Sequence, residues 1–241
     1  MNKNIAIIGN WGLGEITWRG FDEYDVISPI EEHFVNCTIT NFSKPQTSNL
    51  ETVNQLKNTD LTVFDHVIWI QTDPLFELHP YDTLFDGSIK TISDLLQKKS
   101  ELLNKSYLDL NSLNKEILCL GGPDPLDLGL ISNYSNLIPA ISNIASFLVP
   151  EYTYTGMSFT DWHKIDMSGF IPNFKIGFGP NNHPFSDEEW QQLSEMRLEY
   201  RSLWTSNSAD YISAEGRQPS RLGFKKIVDY LLENYIFPPV V

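Results

Sequence analysis

Acidic and hydroxyl side chains follow several short apolar runs of this chain. Glu15 comes after the first run and Asp73 after the third. Two carboxylates at neighbouring strand ends could act as general acid and base on a glycosidic bond. The hydroxyls of Ser43 and Ser48 could act as nucleophiles, but acyl transfer also needs an imidazole base and an acid that orients it. A turn residue at Ser43 and a helix N-cap at Ser48 are the simpler interpretations, and we favour them.

The C-terminal segment contains polar side chains before an amphipathic run. It includes Glu215, Gln218, Pro219 and Gly223. A glutamine side chain such as that of Gln218 cannot take a proton from a hydroxyl near neutral pH.

The histidines do not supply an obvious metal site. The chain has 5 of them, and no pair has the spacing of a dedicated metal site. His66 lies in an apolar run, where we expect a core or half-buried residue with satisfied nitrogens. We therefore predict no metal and no cofactor.

Composition limits the class of protein. The chain has 241 residues, of which 41% are hydrophobic, and a formal net charge of −14. That charge argues against nucleic acid and against anionic membrane surfaces as partners, because phosphate binding needs clustered Lys and Arg. The first apolar run is too short for a signal peptide, and no run reaches the ~18 residues of a membrane span. We expect a soluble protein whose two cysteines, Cys37 and Cys119, are buried free thiols.

Short apolar runs alternate with helical periodicity along the chain. The runs predict strands at Ile5–Ile8, Thr38–Phe42, Phe64–Ile70 and Ile117–Leu120. Helical spacing and capping signals predict helices at Asn49–Lys57, Thr91–Leu108 and Asn136–Phe147, one from Ser186, and one from Pro219 to Glu233. This order predicts a three-layer α/β/α sandwich with a mostly parallel, flavodoxin-like sheet, in a single domain over 1–241.

Ligands of open α/β sheets bind beyond the carboxyl ends of the strands. Four segments should therefore border one cleft: Gly9–Glu15, Ser43–Ser48, Gln71–Asp73 and Gly121–Pro125. The glycines that follow the first strand do not have dinucleotide-binding spacing, and a turn with positive φ is sufficient to explain them.

These segments and the C-terminal one resemble the conserved blocks of SGNH (GDSL-type) hydrolases in order and spacing. The first reads Ile8-Gly9-Asn10-Trp11-Gly12-Leu13-Gly14-Glu15, similar to the Gly-Asp-Ser-Trp-Gly-x-Gly-Glu-Trp of phage-encoded members. The last resembles Asp-x-x-His-Pro-x-x-x-Gly and matches it at Pro219 and Gly223. The resemblance implies the SGNH-hydrolase fold and a cleft for ester or glycan substrates.

The chain departs from the family pattern in four of these five segments. The nucleophilic Ser is missing, either because it is deleted or because Trp11 occupies its place. Gln218 stands where the family has its His, so Glu215, at the position of the family's Asp, would have nothing to orient. Pro45 lies near the oxyanion-hole position and has no N–H to donate, although Gln46 or Thr47 could. Thr72 stands where the family has Asn, and its hydroxyl could still donate one hydrogen bond.

The resemblance therefore implies a fold that has lost its serine-esterase triad and acts as a ligand- or partner-binding pseudoenzyme. The expected partner is a small acyl or sugar-like ligand, or a protein. The alternatives are an active ester or glycan hydrolase with unconventional catalytic residues, and a phage accessory or virion structural protein, so the location is either intracellular or a phage particle. The predicted cleft residues are Asn10, Trp11, Glu15, Gln46, Thr72, Asp73, Glu215 and Gln218.

Overall fold

The computed structural model describes residues 2–9, 30–43, 48–72, 92–122, 125–150, 186–188, 191, 219 and 221–239. Within these residues, a sheet of 5 parallel strands has the order β2-β1-β3-β4-β5. The strands are β1 (Lys3–Gly9), β2 (Cys37–Asn41), β3 (His66–Ile70), β4 (Ile117–Leu120) and β5 (Leu137–Ile141).

Helices connect and cover these strands. They are α1 (Asn49–Lys57), α2 (Ile92–Asn111), α3 (Leu128–Ile131), α4 (Ile144–Leu148) and α5 (Arg221–Leu231). A π-helical turn, Leu232–Ile236, continues α5, and 3₁₀ turns lie at Glu31–His33 and Leu61–Val63. Parallel strands cannot be joined by tight hairpins, so each crossover must pass over a face of the sheet.

Alternate residues of β1 and β3 enter separate cores on opposite faces of the sheet. Ala6, Ile8, Val67 and Trp69 pack on the face covered by α1 and α2. Their neighbours in sequence pack on the face covered by α4 and α5, and these are Ile5, Ile7, Ile68 and Ile70. Burial on both faces explains why the strands read as continuous apolar runs. The predicted α/β/α sandwich with a parallel, flavodoxin-like sheet is confirmed; the extent of the single domain stays a prediction.

The predicted helix over Asn136–Phe147 is wrong. Leu137–Ile141 forms β5, and only Ile144–Leu148 is helical. Asn143 ends the extended segment, because its side chain accepts a hydrogen bond from the Ser146 N–H and caps α4. Pro139 lies inside β5 and lacks an N–H. Among the described strands β5 pairs only with β4, and proline is compatible with such an edge position.

Several predicted boundaries also differ from the structure. The third strand begins at His66 instead of Phe64, because Leu61–Val63 forms a 3₁₀ turn that ends at Phe64. Pro219 is an isolated bridge residue and not part of the last helix, which begins at Arg221. Of the helix predicted from Ser186, the structure describes Asp187, Glu188 and Gln191 as helical.

Candidate functional site

The carboxyl edge of the sheet, where the predicted cleft lies, brings β1 and β3 very close together. Gly9 pairs with Ile70 in the parallel register. A Cβ at Gly9 would lie 2.8 Å from the Ile70 carbonyl oxygen and 2.9 Å from the Ile70 Cβ. Gly9 is therefore required by this close approach, and not by the positive φ that the sequence suggested.

Thr72, just beyond the end of β3, is held by the side chain of Asn49. The Thr72 N–H donates to Asn49 Oδ1 at 2.7 Å, and Asn49 Nδ2 donates to the Thr72 carbonyl at 3.1 Å. Asn49 is 0% exposed and Thr72 is 2% exposed. A carboxamide thus pairs with a backbone amide as a neighbouring strand would, and it ties the end of β3 to the first turn of α1. We call this pair the Asn49–Thr72 clamp.

The clamp is connected to the core through Thr52. The Thr52 hydroxyl donates to the Asn49 carbonyl at 2.7 Å and accepts from the Trp69 indole N–H at 3.1 Å. Thr52 and Trp69 are both buried. Trp69 therefore finds the polar partner that a buried indole needs, and it links the middle of β3 to the same turn of α1.

The side chain of Gln71 connects the end of β3 to α2. Its Oε1 accepts from the Tyr107 hydroxyl at 2.8 Å, and its Nε2 donates to the Pro125 carbonyl at 3.0 Å. The Tyr107 oxygen in turn accepts from the Asp127 N–H at 3.1 Å. Gln71 and Tyr107 are both 0% exposed. The amide of Gln71 is thus a buried tie between β3, α2 and the segment after β4.

The ends of β4 and β5 are joined by a second close approach. A Cβ at Gly121 would lie 2.1 Å from the Ser142 carbonyl oxygen. The Gly121 carbonyl accepts from the Ile144 N–H at 2.8 Å, and Asn143 Nδ2 donates to the Gly122 carbonyl at 3.2 Å. These contacts fix the start of the segment after β4 against the start of α4.

The two candidate serines differ in their surroundings. Ser48 is the N-cap of α1, and its Oγ accepts from the Glu51 N–H at 3.1 Å. Glu51 Oε2 accepts from the Ser48 N–H at 2.7 Å, which completes the predicted capping box. The Ser43 N–H donates to Asn41 Oδ1 at 2.9 Å in a turn, whereas its buried Oγ has no hydrogen-bond partner among the described residues.

Several titratable groups with shifted pKa values lie at the opposite, amino edge of the sheet. The Asn4 N–H donates to the Asp65 carboxylate at 2.8 Å, and this lowers the pKa of Asp65. Burial lowers the pKa of His66, and the positive charge of Lys3 lowers it further. Burial and then the charge of Asp65 raise the pKa of Cys37.

Among the cysteines and His66, Cys119 agrees with expectation, whereas Cys37 and His66 differ from it. Cys119 is fully buried as predicted, and burial raises the pKa of its thiol. Cys37 is only half-buried. His66 was expected to have satisfied nitrogens, but its buried Nε2 has no hydrogen-bond partner within the described part of the chain.

Two further properties concern metals and membranes. In the residues that the structure describes, no group of three His, Cys, Asp or Glu side chains is placed to hold a metal ion. Across the same residues, no helix combines the length and the apolar character that crossing a bilayer requires.

Of the predicted cleft residues, Thr72 is within the described part of the structure, at the carboxyl edge as expected. The others lie outside the described residues: Asn10, Trp11, Glu15, Gln46, Asp73, Glu215 and Gln218. Sequence reasoning missed Asn49 and Tyr107. Asn49 lies inside the capping-box motif, where only its neighbours carry a known signal, and Tyr107 reads as one more residue of the long helix.

Comparison with known proteins finds distant matches among solved structures. No family model matches the chain, and no curated protein matches it significantly. The crystal structure of LAE5, an alpha/beta hydrolase enzyme from the metagenome of Lake Arreo in Spain, is 9% identical with a TM-score of 0.43. The match covers 95% of this chain and 93% of that chain.

Proposed function

We propose that the protein has an SGNH-hydrolase-like fold without the serine-esterase triad, and that it binds a small uncharged acyl or sugar-like ligand at the carboxyl edge of its sheet. The observation that carries this proposal is the end of β3. There Gln71 is held by α2 and Thr72 by α1, through buried hydrogen bonds. A fixed strand end costs little ordering entropy when a ligand binds beside it.

Binding is favoured over triad catalysis by the residues that stand at the catalytic positions. Gln218 stands at the position of the family's base, and the nucleophilic Ser of the family is absent from the first segment. Loss of a triad nucleophile or base costs on the order of 10⁶ in turnover. Ser48, one possible substitute, uses its oxygen as the cap of α1.

The charge of the protein favours an uncharged ligand. A formal net charge of −14 repels anions such as free carboxylates. Triacetin, a neutral acyl ester, and N-acetylglucosamine, a neutral sugar, are therefore suitable probes of the two ligand classes.

NMR titration of the intact protein tests this proposal. We expect at least one probe to shift the amide resonances of Gln71 and Thr72 while the Asn4 amide, at the opposite edge, stays unchanged. The Thr72→Val variant should weaken binding several-fold, since it removes a polar group at the proposed ligand-binding edge but keeps the side-chain shape. Thr38→Val, an exposed substitution at the amino edge, is the matched control. Saturating probe without any shift at the carboxyl edge would rule out these ligand classes.

One observation favours the alternative of an active ester hydrolase. The Ser43 hydroxyl is buried without a hydrogen-bond partner among the described residues, at the carboxyl end of β2. Hydrolysis of p-nitrophenyl butyrate by wild type, Ser43→Ala and Ser48→Ala separates the two possibilities. We expect no turnover above background in any of them. Turnover that Ser43→Ala abolishes and Ser48→Ala retains would replace the binding proposal with an esterase.

A further inference from the structure

We propose that Asn49 is a positioning residue of this site and that its carboxamide holds the start of α1 and the end of β3 in register with each other. Asn49 follows Ser48 at the start of α1, directly after segment 44–47. Through the clamp it binds Thr72, directly before Asp73. Its role for a ligand rests on the proposed function, whereas the clamp itself can be measured without any ligand.

The chemistry of the contact requires a side chain that offers both an acceptor and a donor. The Thr72 backbone has one donor, its N–H, and one acceptor, its carbonyl oxygen. The N–H donates to Asn49 Oδ1 at 2.7 Å, and the carbonyl accepts from Asn49 Nδ2 at 3.1 Å. A side chain that offers only acceptors or only apolar atoms leaves a buried backbone group without its partner. Such an unsatisfied buried group lowers the stability of the fold, because it has lost its hydrogen bond to water and forms none within the protein.

The position of the clamp suits it to transmit motion between segments. Its two residues are 23 positions apart in sequence, so no local turn holds them together. Asn49 is also anchored through its own carbonyl, which accepts from the Thr52 hydroxyl. Displacement of the start of α1 would therefore move Thr72 at the end of β3.

The Asn49→Asp substitution tests the clamp through its dependence on pH. When ionised, the new carboxylate can still accept from the Thr72 N–H, but its second oxygen faces the Thr72 carbonyl and repels it. When protonated, the carboxyl donates to that carbonyl and restores both bonds. Burial and the facing carbonyl should raise its pKa above the usual ~3.9 of aspartate. The added stability is therefore present at low pH and is lost as the pH rises through the raised value.

Amide hydrogen exchange at Thr72 is the readout. At pH 8.5 we expect exchange in Asn49→Asp to be about 10- to 100-fold faster than in wild type at the same pH, as for a buried backbone group deprived of its partner. At pH 5.5, still above the sequence pI of about 4.6, the difference should shrink. Asn54→Asp, the same substitution at an exposed position of α1, should show neither effect.

The distribution of the exchange separates positioning from general destabilisation. The Ile144 N–H, bonded to the Gly121 carbonyl at the other end of the edge, should keep its wild-type protection. Equal acceleration at Thr72 and Ile144, or a Thr72 effect that does not change with pH, would overturn the proposal.

A measurement on wild type covers the case in which the variant does not fold. The side-chain NH₂ protons of Asn49 should exchange at least about 100-fold more slowly than those of exposed Asn54, since one is bonded and both are buried. Equal rates would overturn the clamp. If triacetin and N-acetylglucosamine fail to bind wild type while this protection is present, the proposed function fails and the clamp stands. If either probe binds, Asn49→Asp should weaken its affinity more at pH 8.5 than at pH 5.5, and unchanged affinity would remove the positioning role.

Discussion

Single residues at the strand ends are dictated by backbone packing. At Gly121 an added Cβ would meet the Ser142 carbonyl oxygen at 2.1 Å and the Leu126 nitrogen at 2.8 Å. Both are backbone atoms, so neither can move away by a rotamer change, as the end of a flexible side chain could. Gly9 and Gly121 are thus explained by the close packing of backbone at this edge, and they do not by themselves indicate a nucleotide or phosphate site.

Gly121→Ala should therefore lower the free energy of unfolding by roughly 1–3 kcal/mol or more, as overpacking does. Gly129→Ala is the control, because its Cβ would meet only the Asp127 carboxylate, at 3.3 Å, on an exposed turn of α3. Urea denaturation of both variants checks this. A Gly121→Ala protein as stable as Gly129→Ala would contradict the packing at this edge.

His66 should make stability depend on pH. Burial and the charges of Lys3 and Lys115 lower its pKa, while Asp65 and Glu116 oppose that shift. Since the pKa is lower in the folded than in the unfolded protein, the unfolded state binds protons first as the pH falls below ~6.5. The stability that neutral His66 contributes is present above ~6.5 and is lost as the pH falls toward the lowered value.

Urea denaturation between pH 8 and pH 5 tests this by comparing wild type with His66→Gln. We expect the variant to lose less stability than wild type over that range. An identical loss in both proteins would mean that other groups cause the dependence.

At the scale of elements, α1 depends on its capping box as well as on burial. Ser48→Ala removes the acceptor for the Glu51 N–H and should cost about 1 kcal/mol. Glu51→Gln should cost less, since glutamine can still accept from the Ser48 N–H. Thermal or urea unfolding measures both. If Glu51→Gln is the more damaging, charge at the helix N-terminus, and not the Ser48 cap, is the dominant effect.

The elements that could be predicted are those with local signals. β4 was predicted residue for residue, and the Ser48–Glu51 box located the start of α1. β5 was missed because a short apolar run next to a helix has no distinguishing period, and only pairing with β4 makes it a strand. The Asn49–Thr72 clamp could not be predicted, since it depends on how α1 crosses β3. The position of Thr72 beyond β3 could be predicted because strand ends can be located without knowing what holds them, whereas its role in a cleft stays a prediction.

At the scale of the whole molecule, the two cores meet at the sheet, so the central strands should open only when the protein unfolds globally. Cys119 lies in β4 between β3 and β5, is 0% exposed, and packs in the core beneath α1 and α2.

In the Cys37→Ser variant, modification of Cys119 by a thiol-specific disulfide reagent should be slowed by the full unfolding equilibrium constant found by urea denaturation. Burial and a raised thiol pKa both prevent reaction in the folded state. Cys119→Ser leaves the half-buried Cys37 as the comparison, and that thiol should react through smaller local openings. Modification of Cys119 more than about 10-fold faster than the unfolding equilibrium allows would mean that β4 separates from its neighbours below the global transition.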